Sequence, residues 1–307
     1  MNAAVRAVVR SADAAGIETV GVLNGYAGLI DGRLEPLDAR AVSGILHMGG
    51  TMLGTARSAQ FRTTEGRRQA IKNLDLAEIE GLVVIGGDGS FRGADALSRE
   101  GHIRVVGIPG TIDNDLSGTD FTLGFDTAVN TALEAIDRIR DTAASHHRLF
   151  FVEVMGRRAG WLALYSGLAG GGTEALVPER ATDIDRLRRR VLRSFELGKK
   201  FCLVIVAEGD DAGGAYEVAE RTVEGTDLDY RVTTLGHVQR GGAPSMRDRV
   251  LGAVLGDAAV QALVDGADRV MVGQHRGEVV RTPLETSWSS VDHTPSDLLA
   301  LMDRLAR

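Results

Sequence analysis

The chain has 307 residues, 44% hydrophobic and 25% charged, an ordinary globular balance that suits one large or two modest domains. A net charge of −7 argues against general nucleic-acid affinity, and no apolar run reaches the length of about 18 residues that a membrane-spanning helix needs. The single cysteine, Cys202, excludes a disulfide framework within the chain. We therefore expect a cytoplasmic protein whose partners include neither nucleic acid nor a membrane.

Short apolar runs alternate with amphipathic stretches along the whole chain. The apolar runs predict strands at residues 17–22, 82–85, 103–108, 149–154, 176–178, 201–206, 231–235 and 269–272. The amphipathic stretches predict helices at residues 1–15, 41–47, 65–74, 91–99, 127–142, 162–168, 183–196, 216–224, 247–265 and 295–307. Residues 24–28 are predicted to form a turn-rich loop. This alternation predicts an α/β fold with mostly parallel sheets flanked by helices.

The first of two polar loops follows the predicted strand 82–85 and reads Gly-Gly-Asp-Gly-Ser at residues 86–90. Its glycines lack a Cβ atom, so backbone N–H groups can approach a polyphosphate closely. Ser90 is placed to cap the next helix, whose positive N-terminal end would face the same anion. A carboxylate such as Asp88 repels phosphates unless a divalent cation lies between them. Taken alone, this loop is as well explained by a simple turn.

The second polar loop, residues 109–115, follows the next predicted strand and contains Thr111, Asp113 and Asp115. The two aspartates alternate in sequence, so only the geometry of the loop can bring them together. Carboxylates combined with glycines suggest a hard metal such as Mg²⁺ and one spare base. A helix-capping loop explains this segment alone equally well, but two such loops one strand apart favour phosphate chemistry.

Charged groups also cluster elsewhere in the chain. An arginine group in an acidic protein suits either phosphate binding or a solvated basic loop; its members are Arg57, Arg62, Arg67 and Arg68. Further groups lie beside the later predicted strands: Arg148, Met155-Gly156-Arg157, Glu208, Arg231, His237 and Arg240. Each of these is more often structural when taken alone. Together they fit a ligand that carries a phosphate and sugar hydroxyls.

These motifs, in this order, resemble the phosphofructokinase family over nearly the whole chain. The matching strings are Gly86–Ser90, Pro109–Asp115, Met155–Arg157, Ala207–Gly209 and Leu235–Gly242. The resemblance implies two similar domains with mostly parallel sheets flanked by helices and an active site in the cleft between them. It implies a nucleotide-binding domain of residues 1–124 plus about 238–289. A sugar-phosphate-binding domain would comprise residues 125–237 plus about 290–307.

The resemblance implies phosphorylation of fructose 6-phosphate at its 1-hydroxyl by Mg-ATP, which gives fructose 1,6-bisphosphate. Asp113 would be the general base, and Thr111 and Arg157 would steady the transferring phosphoryl group. Asp88 and Asp115 would hold Mg²⁺. The residues implied near the nucleotide are Gly89, Ser90, Gly93, Tyr26, Arg57 and Arg62. Those implied for fructose 6-phosphate are Met155, Gly156, Glu208, His237 and Arg240, with Arg148 and Arg231 reaching in from a neighbouring subunit of a homo-oligomer, which the family suggests is a tetramer.

The donor follows from two glycine positions in the same resemblance. Gly89 and Gly110 are typical of ATP-dependent members, whereas Asp and Lys there accompany pyrophosphate. The string Gly160–Leu164 resembles the branch that includes pyrophosphate enzymes, so a pyrophosphate-dependent enzyme is an alternative. Lipid and NAD kinases share similar glycine loops and are a further alternative, although the string 236–242 argues against them.

One departure from the family concerns the start of the chain. Family members begin with a strand and a Gly-Gly-Asp-x-Pro-Gly phosphate loop before the helix that starts in this chain at Met1. A misassigned start codon is the leading explanation. If the protein truly lacks this strand and loop, we expect weak activity and a destabilised sheet. A non-catalytic protein that binds sugar phosphate or nucleotide is then a third alternative.

Overall fold

A computed structural model describes residues 1–143, 148–289 and 296–305. The chain divides into two units. The first unit comprises Met1–Thr111, Leu116–Gly124 and Ala243–Val291. The second comprises Ile112–Asp115, Phe125–Gly242 and Asp292–Arg307. The chain passes from the first unit to the second within the polar loop 109–115.

Helices and strands alternate as the sequence predicts. The helices are α1 (Asn2–Ala14), α2 (Gly25–Asp31), α3 (Thr64–Leu76), α4 (Asp88–Gly101), α5 (Phe125–Ala143), α6 (Trp161–Ala169), α7 (Ile184–Glu196), α8 (Ala215–Val223), α9 (Met246–Val264), α10 (Leu284–Ser289) and α11 (Ser296–Leu305), with 3-10 helices at Gln60–Arg62 and Gly236–Arg240. The strands are β1 (Thr19–Val22), β2 (Leu34–Leu37), β3 (Gly81–Gly86), β4 (Arg104–Pro109), β5 (Arg148–Val154), β6 (Glu174–Leu176), β7 (Phe201–Ala207), β8 (Tyr230–Thr234), β9 (Val270–His275) and β10 (Glu278–Pro283).

The first unit contains a four-stranded sheet in the order β10-β9-β4-β3 and a separate β1-β2 hairpin. Strands β3, β4 and β9 run parallel, and β10 joins the edge in antiparallel orientation. Helix α4 packs on the sheet through Phe91 and Leu97, both fully buried. Because Gly86 of β3 lies in register with Pro109 of β4, both polar loops leave the sheet at the same edge.

The second unit contains an all-parallel sheet in the order β6-β7-β5-β8. Its central strands β5 and β7 are buried on both faces, which explains why they read as continuous apolar runs rather than alternating ones. Val154 pairs with Ala207, so the segments that begin at Met155 and Glu208 leave the same edge of the sheet. The predicted α/β class with mostly parallel sheets flanked by helices is confirmed.

Two local predictions are wrong, and two strands were missed. The predicted loop 24–28 is instead the start of α2, because Asn24 and Gly25 take left-handed conformations just ahead of a buried apolar turn. Residues 41–47 form turns rather than a helix, since Gly44 lies at φ +78° in the middle of the segment. Strands β2 and β10 were not predicted; both are exposed edge strands whose side chains carry little apolar pattern.

No helix within the described ranges combines the length and apolar character needed to cross a membrane.

Candidate active site

Within the first unit, the beginnings of the two polar loops contact each other. The Gly110 N–H donates a hydrogen bond of 2.9 Å to the Gly86 carbonyl. A Cβ atom at Gly110 would lie 3.1 Å from the Ile85 side chain, a tight contact that the glycine avoids. Thr111 lies next to Gly87, and its carbonyl accepts a hydrogen bond of 2.7 Å from the Thr122 hydroxyl.

Helix α4 begins inside the first polar loop. Gly87 is its N-cap without a side-chain hydrogen bond, and Asp88 stands in its first turn. The prediction that Ser90 caps this helix is therefore wrong; the helix starts three residues earlier than predicted, and the Ser90 N–H donates to the Gly87 carbonyl. Gly89 faces open space, since nothing lies within 4 Å of a Cβ atom built there. The first turn of α4 thus presents an uncovered surface beside Asp88.

Tyr26 of α2 packs against Gly93 of α4. The Tyr26 ring stacks on Phe61 at a centroid distance of 3.9 Å, and its hydroxyl donates a hydrogen bond of 2.5 Å to the Ser90 carbonyl. Burial raises the pKa of the Tyr26 hydroxyl, which therefore stays protonated. A Cβ atom at Gly93 would lie 2.9 Å from the Tyr26 ring. Gly93 is consequently required for this aromatic contact.

The four arginines of the basic group divide into two pairs. Arg67 donates to both oxygens of Glu100 at 2.9 Å, and Arg68 pairs loosely with Glu65 at 3.9 Å. Arg57 and Arg62 are exposed, and their guanidinium groups have no hydrogen bond or ion pair to the described residues. This second pair is therefore available to an anion.

In the second unit, Asp113 is buried with 5% of its surface exposed. The Nε atom of Arg157 lies 3.3 Å from the Asp113 Oδ2 atom. Asn114 adopts a left-handed backbone at φ +53°, which turns the chain sharply between the two aspartates. Asp113 and Asp115 therefore converge through loop geometry rather than through strand alternation.

The pKa of Asp113 is raised to about 6. Burial is the largest cause, because it disfavours the charged carboxylate, and the negative charges of Asp115 and Glu208 add to it. The positive charges of Arg157 and Arg240 oppose the shift without cancelling it. A carboxyl with this pKa is largely ionised near neutral pH and is a better proton acceptor than an ordinary aspartate.

The segment after β5 carries Arg157 into this position through an unusual backbone. Gly156 lies at φ +138°, and a Cβ atom there would stand 2.4 Å from the Ala159 carbonyl. Arg157 itself lies at φ +54°, a conformation uncommon for a residue with a side chain. Its N–H donates a hydrogen bond of 2.8 Å to Glu208 Oε1. Gly209 is needed beside it, since a Cβ atom there would collide with the Arg157 carbonyl at 1.8 Å.

The 3-10 helix Gly236–Arg240 follows β8 and ends at the same edge of the second sheet. His237 and Arg240 are exposed on it, whereas Gln239 is 1% exposed. The Gln239 Oε1 atom accepts a hydrogen bond of 2.8 Å from the Met155 N–H. Met155 is itself buried, so its polar N–H needs this partner.

Arg148 and Arg231 lie at the opposite edge of that sheet. Arg148 is the first residue of β5, and Arg231 pairs in register with Phe150 near the start of β8. From Arg148 to the end of β5 the strand rises about 20 Å. Arg231 is half exposed and contacts Asp229 at 2.6 Å. The fold therefore separates these two arginines from Met155, Glu208, His237 and Arg240 of the same chain.

Metal-binding clusters of three or more His, Cys, Asp or Glu side chains are absent from the described ranges. Asp88 is half exposed, and its Oδ2 atom lies 3.5 Å from Arg92, a loose pair of the kind that contributes little. Its oxygen atoms are the ligand type that Mg²⁺ prefers.

Comparison with known proteins decides the family. The family model described as Phosphofructokinase matches residues 1–263. The chain belongs to the phosphofructokinase family. The lipid-kinase and NAD-kinase alternatives are therefore set aside.

Several phosphofructokinases are similar over most of the chain. This chain is 57% identical to ATP-dependent 6-phosphofructokinase 1 of Thermus thermophilus, over 93% of this chain and 88% of the Thermus protein. It is 53% identical to the ATP-dependent 6-phosphofructokinase of Bacillus subtilis over 91% of this chain and 87% of that one. The solved phosphofructokinase of Saccharomyces cerevisiae matches with a TM-score of 0.91 and 38% identity, covering all of this chain and 46% of the yeast chain.

Within the phosphofructokinase fold, the second unit brings Asp113, Asp115, Arg157, Glu208 and Arg240 into one electrostatic group. Gln239 was missed by sequence reasoning, although it lies inside the recognised string 236–242. A single glutamine among polar neighbours carries no sequence signal of burial, so only the fold reveals its contact with Met155.

Proposed function

We propose that this phosphofructokinase transfers the terminal phosphoryl group of ATP to the 1-hydroxyl of fructose 6-phosphate. The products are fructose 1,6-bisphosphate and ADP. The identity to two ATP-dependent 6-phosphofructokinases over about nine-tenths of the chain supports the reaction. The single structural observation that carries the proposal is the buried Asp113 carboxyl beside Arg157.

Asp113 is the proposed general base. Its carboxylate takes the proton of the 1-hydroxyl as that oxygen forms a bond to the terminal phosphorus of ATP. The bond between this phosphorus and the bridging oxygen breaks, and ADP leaves with the electron pair. A pKa raised to about 6 supports this role, because the group is ionised at neutral pH yet binds a proton more readily than a solvated aspartate.

Arg157 and Thr111 are proposed to steady the transferring phosphoryl group. Phosphoryl transfer depends mainly on positioning of the reacting groups and on stabilisation of negative charge. A guanidinium close to the base can contribute to both. The Arg157 side chain is 60% exposed, which leaves its outer face accessible to an anion. Met155, Gly156, Glu208, His237 and Arg240 are proposed to bind fructose 6-phosphate.

Mg²⁺ is proposed to be held by Asp88 and Asp115. The fit rests on the donor chemistry: both residues offer carboxylate oxygens, and Asp88 has only a loose 3.5 Å contact with Arg92. When bound, the ion would neutralise charge on the polyphosphate. The chain's own contribution is to place these carboxylates in the two loops that follow β3 and β4.

ATP is proposed to lie against the first turn of α4. Gly89 faces open space there, and because glycine has no side chain this space stays free for a nucleotide phosphate. Ser90, Gly93 and Tyr26 form the neighbouring packed surface, and the exposed Arg57 and Arg62 are available to phosphate oxygens. These features favour ATP over pyrophosphate as the donor.

A homo-oligomer, a tetramer as in the family resemblance, is proposed to complete the sugar-phosphate site. The support is the position of Arg148 and Arg231 at the sheet edge opposite to His237 and Arg240. Their charges can reach such a site only in another copy of the chain.

The test is a coupled assay of the purified 307-residue protein with fructose 6-phosphate and Mg²⁺, offering ATP and pyrophosphate separately. We expect turnover with ATP, and its loss by about two to four orders of magnitude in Asp113→Ala with fructose 6-phosphate binding retained. Asp137→Ala, at an exposed position on α5, is the matched control. Turnover with pyrophosphate but not with ATP would show that pyrophosphate is the donor. Ligand binding without any product would support the non-catalytic alternative.

A further inference from the structure

The hydrogen-bond ladder of β5 does not stop at the last residue of the strand. The Glu208 N–H donates to the Val154 carbonyl, and the Leu235 N–H donates to the Glu153 carbonyl, at 2.9 and 3.0 Å. These are the last backbone contacts from the two neighbouring strand ends. Beyond them, side-chain oxygens accept from the next N–H groups of the segment.

Two side chains extend the ladder in this way. Gln239 Oε1 accepts from the Met155 N–H, and Glu208 Oε1 accepts from the Arg157 N–H, both at 2.8 Å. Gln239 approaches from the β8 side and Glu208 from the β7 side. The segment 155–157 is therefore held between them at alternate N–H groups.

Gln239 contributes one hydrogen bond and leaves its other group unpaired. Its Nε2 atom is buried without a hydrogen-bond partner in the described part of the chain. An unpaired buried amide is unfavourable, so stability alone does not explain a glutamine at this position. The specific benefit is the acceptor oxygen at Met155, which a hydrophobic side chain cannot supply.

The segment needs such support because Arg157 has a left-handed backbone, at φ +54°, that residues with a side chain seldom adopt. The preceding Gly156, at φ +138°, is a glycine and accepts a positive φ angle without strain. A conformation like that of Arg157 persists only where surrounding contacts determine it. With this backbone, the Arg157 Nε atom lies 3.3 Å from Asp113.

We propose that Gln239 is a positioning residue for phosphoryl transfer: by holding the Met155 N–H, it keeps the segment 155–157 in the conformation that brings Arg157 to Asp113. The proposal rests on the proposed function, since it assigns Gln239 a part in that reaction. Gln239 does not touch the reacting atoms; it acts through the backbone it holds.

The test compares three variants with the wild type in the ATP assay. Gln239→Met removes the acceptor at similar volume, and we expect kcat to fall by about 10- to 100-fold while KM for ATP changes less than about twofold. Gln239→Glu keeps an oxygen acceptor in either protonation state and should restore most of kcat. Thr222→Val, a fully buried polar substitution in α8, controls for loss of stability alone. Kinetics are read at a temperature where every variant is folded.

Each outcome separates the two claims. Absence of turnover in the wild type would contradict the proposed function. Turnover in the wild type together with an unchanged kcat in Gln239→Met would overturn only the positioning role. Equal kcat losses in Gln239→Met and Thr222→Val, or no rescue by Gln239→Glu, also overturn it. If Gln239→Met does not fold, Gln239→Asn, whose shorter side chain withdraws the acceptor, replaces it. Crystal structures of wild type and variant then compare the Arg157–Asp113 separation without any turnover.

Discussion

The Arg157 guanidinium lies 3.3 Å from the Asp113 carboxylate, yet the pKa of Asp113 is raised to about 6 rather than lowered. Burial and the negative charge of Asp115 outweigh the arginine, whose side chain is 60% exposed and hence partly screened by water. The Asp113 carboxyl is therefore ionised at neutral pH and is also more basic than an ordinary aspartate.

The first prediction concerns the titration of Asp113 in the metal-free protein. Arg157→Met should raise the pKa of Asp113 above its value of about 6, because a charge that favours the carboxylate is lost. Asp115→Asn should lower that pKa, because a repelling charge is lost. Carboxyl-carbon NMR measures both directly, and a lowered pKa in Arg157→Met would contradict this balance of charges around Asp113.

The second prediction is that Asp113→Asn stabilises the protein while it removes activity. The folded-state pKa of about 6 lies above the ordinary value of 3.8, so the folded state binds this proton more tightly than the unfolded state. Ionisation of Asp113 therefore lowers the free energy of unfolding by its full amount above about pH 6, and this destabilisation disappears as the pH falls through 3.8. We expect the variant to gain at most about 3 kcal/mol in the free energy of unfolding at pH 8.

Urea unfolding at pH 8 and at pH 3.5 provides the measurement. The gain should shrink toward zero at the acid end, where Asp113 is protonated in both states of the wild type. Asp137→Asn, at an exposed site, should give no pH-dependent gain. A stability loss in Asp113→Asn at pH 8 would show that its ionised form is stabilising after all.

The parts of this site that follow directly from strand ends could be predicted from sequence. Parallel strands end at one sheet edge, so Met155 after β5 and Glu208 after β7 were expected at the same edge, and the pairing of β5 with β7 makes them neighbours. The glycine loops after β3 and β4 were predictable for the same reason. Residue type and strand periodicity sufficed because each position depends on local chain direction alone.

The supporting contacts could not be predicted, because they depend on tertiary packing. The left-handed segment around Arg157 is held by Glu208 and Gln239, which lie far away in sequence, and nothing in the local sequence indicates it. The family resemblance implies that Gly93 lines the nucleotide, but the contact that its missing Cβ atom permits is with Tyr26. Gly44, at φ +78°, ended a helical pattern that the side chains alone had favoured.

The third prediction concerns the phosphoryl donor. Gly89→Asp should fold normally, because a Cβ atom there meets nothing within 4 Å and an acidic residue suits the first turn of a helix. The added charge beside Asp88 should raise KM for ATP by about 10- to 100-fold. Gly89→Ala, which adds no charge, is the matched control and should stay within about threefold of the wild type. An unchanged KM in Gly89→Asp would place the nucleotide phosphates elsewhere.

The fourth prediction tests whether sites are shared between subunits. Asp113→Ala and Arg148→Ala should each be nearly inactive alone, the first through loss of the proposed base and the second through loss of a charge from the opposite sheet edge. If Arg148 serves the site of another copy, chains mixed under conditions that exchange subunits should recover activity. Random pairing restores about a quarter of the sites, since each needs one intact residue from each of two chains.

Mixing Asp113→Ala with Arg157→Met is the control for this experiment. Both residues belong to the second unit and lie 3.3 Å apart within one chain, so no exchange of subunits can rebuild their pair. Recovery in the first mixture but not in the control would support a site completed by a second chain. Absence of recovery in both, with exchange verified by mass spectrometry, would show that Arg148 and Asp113 must be intact in the same chain, and would contradict a site completed by a second chain.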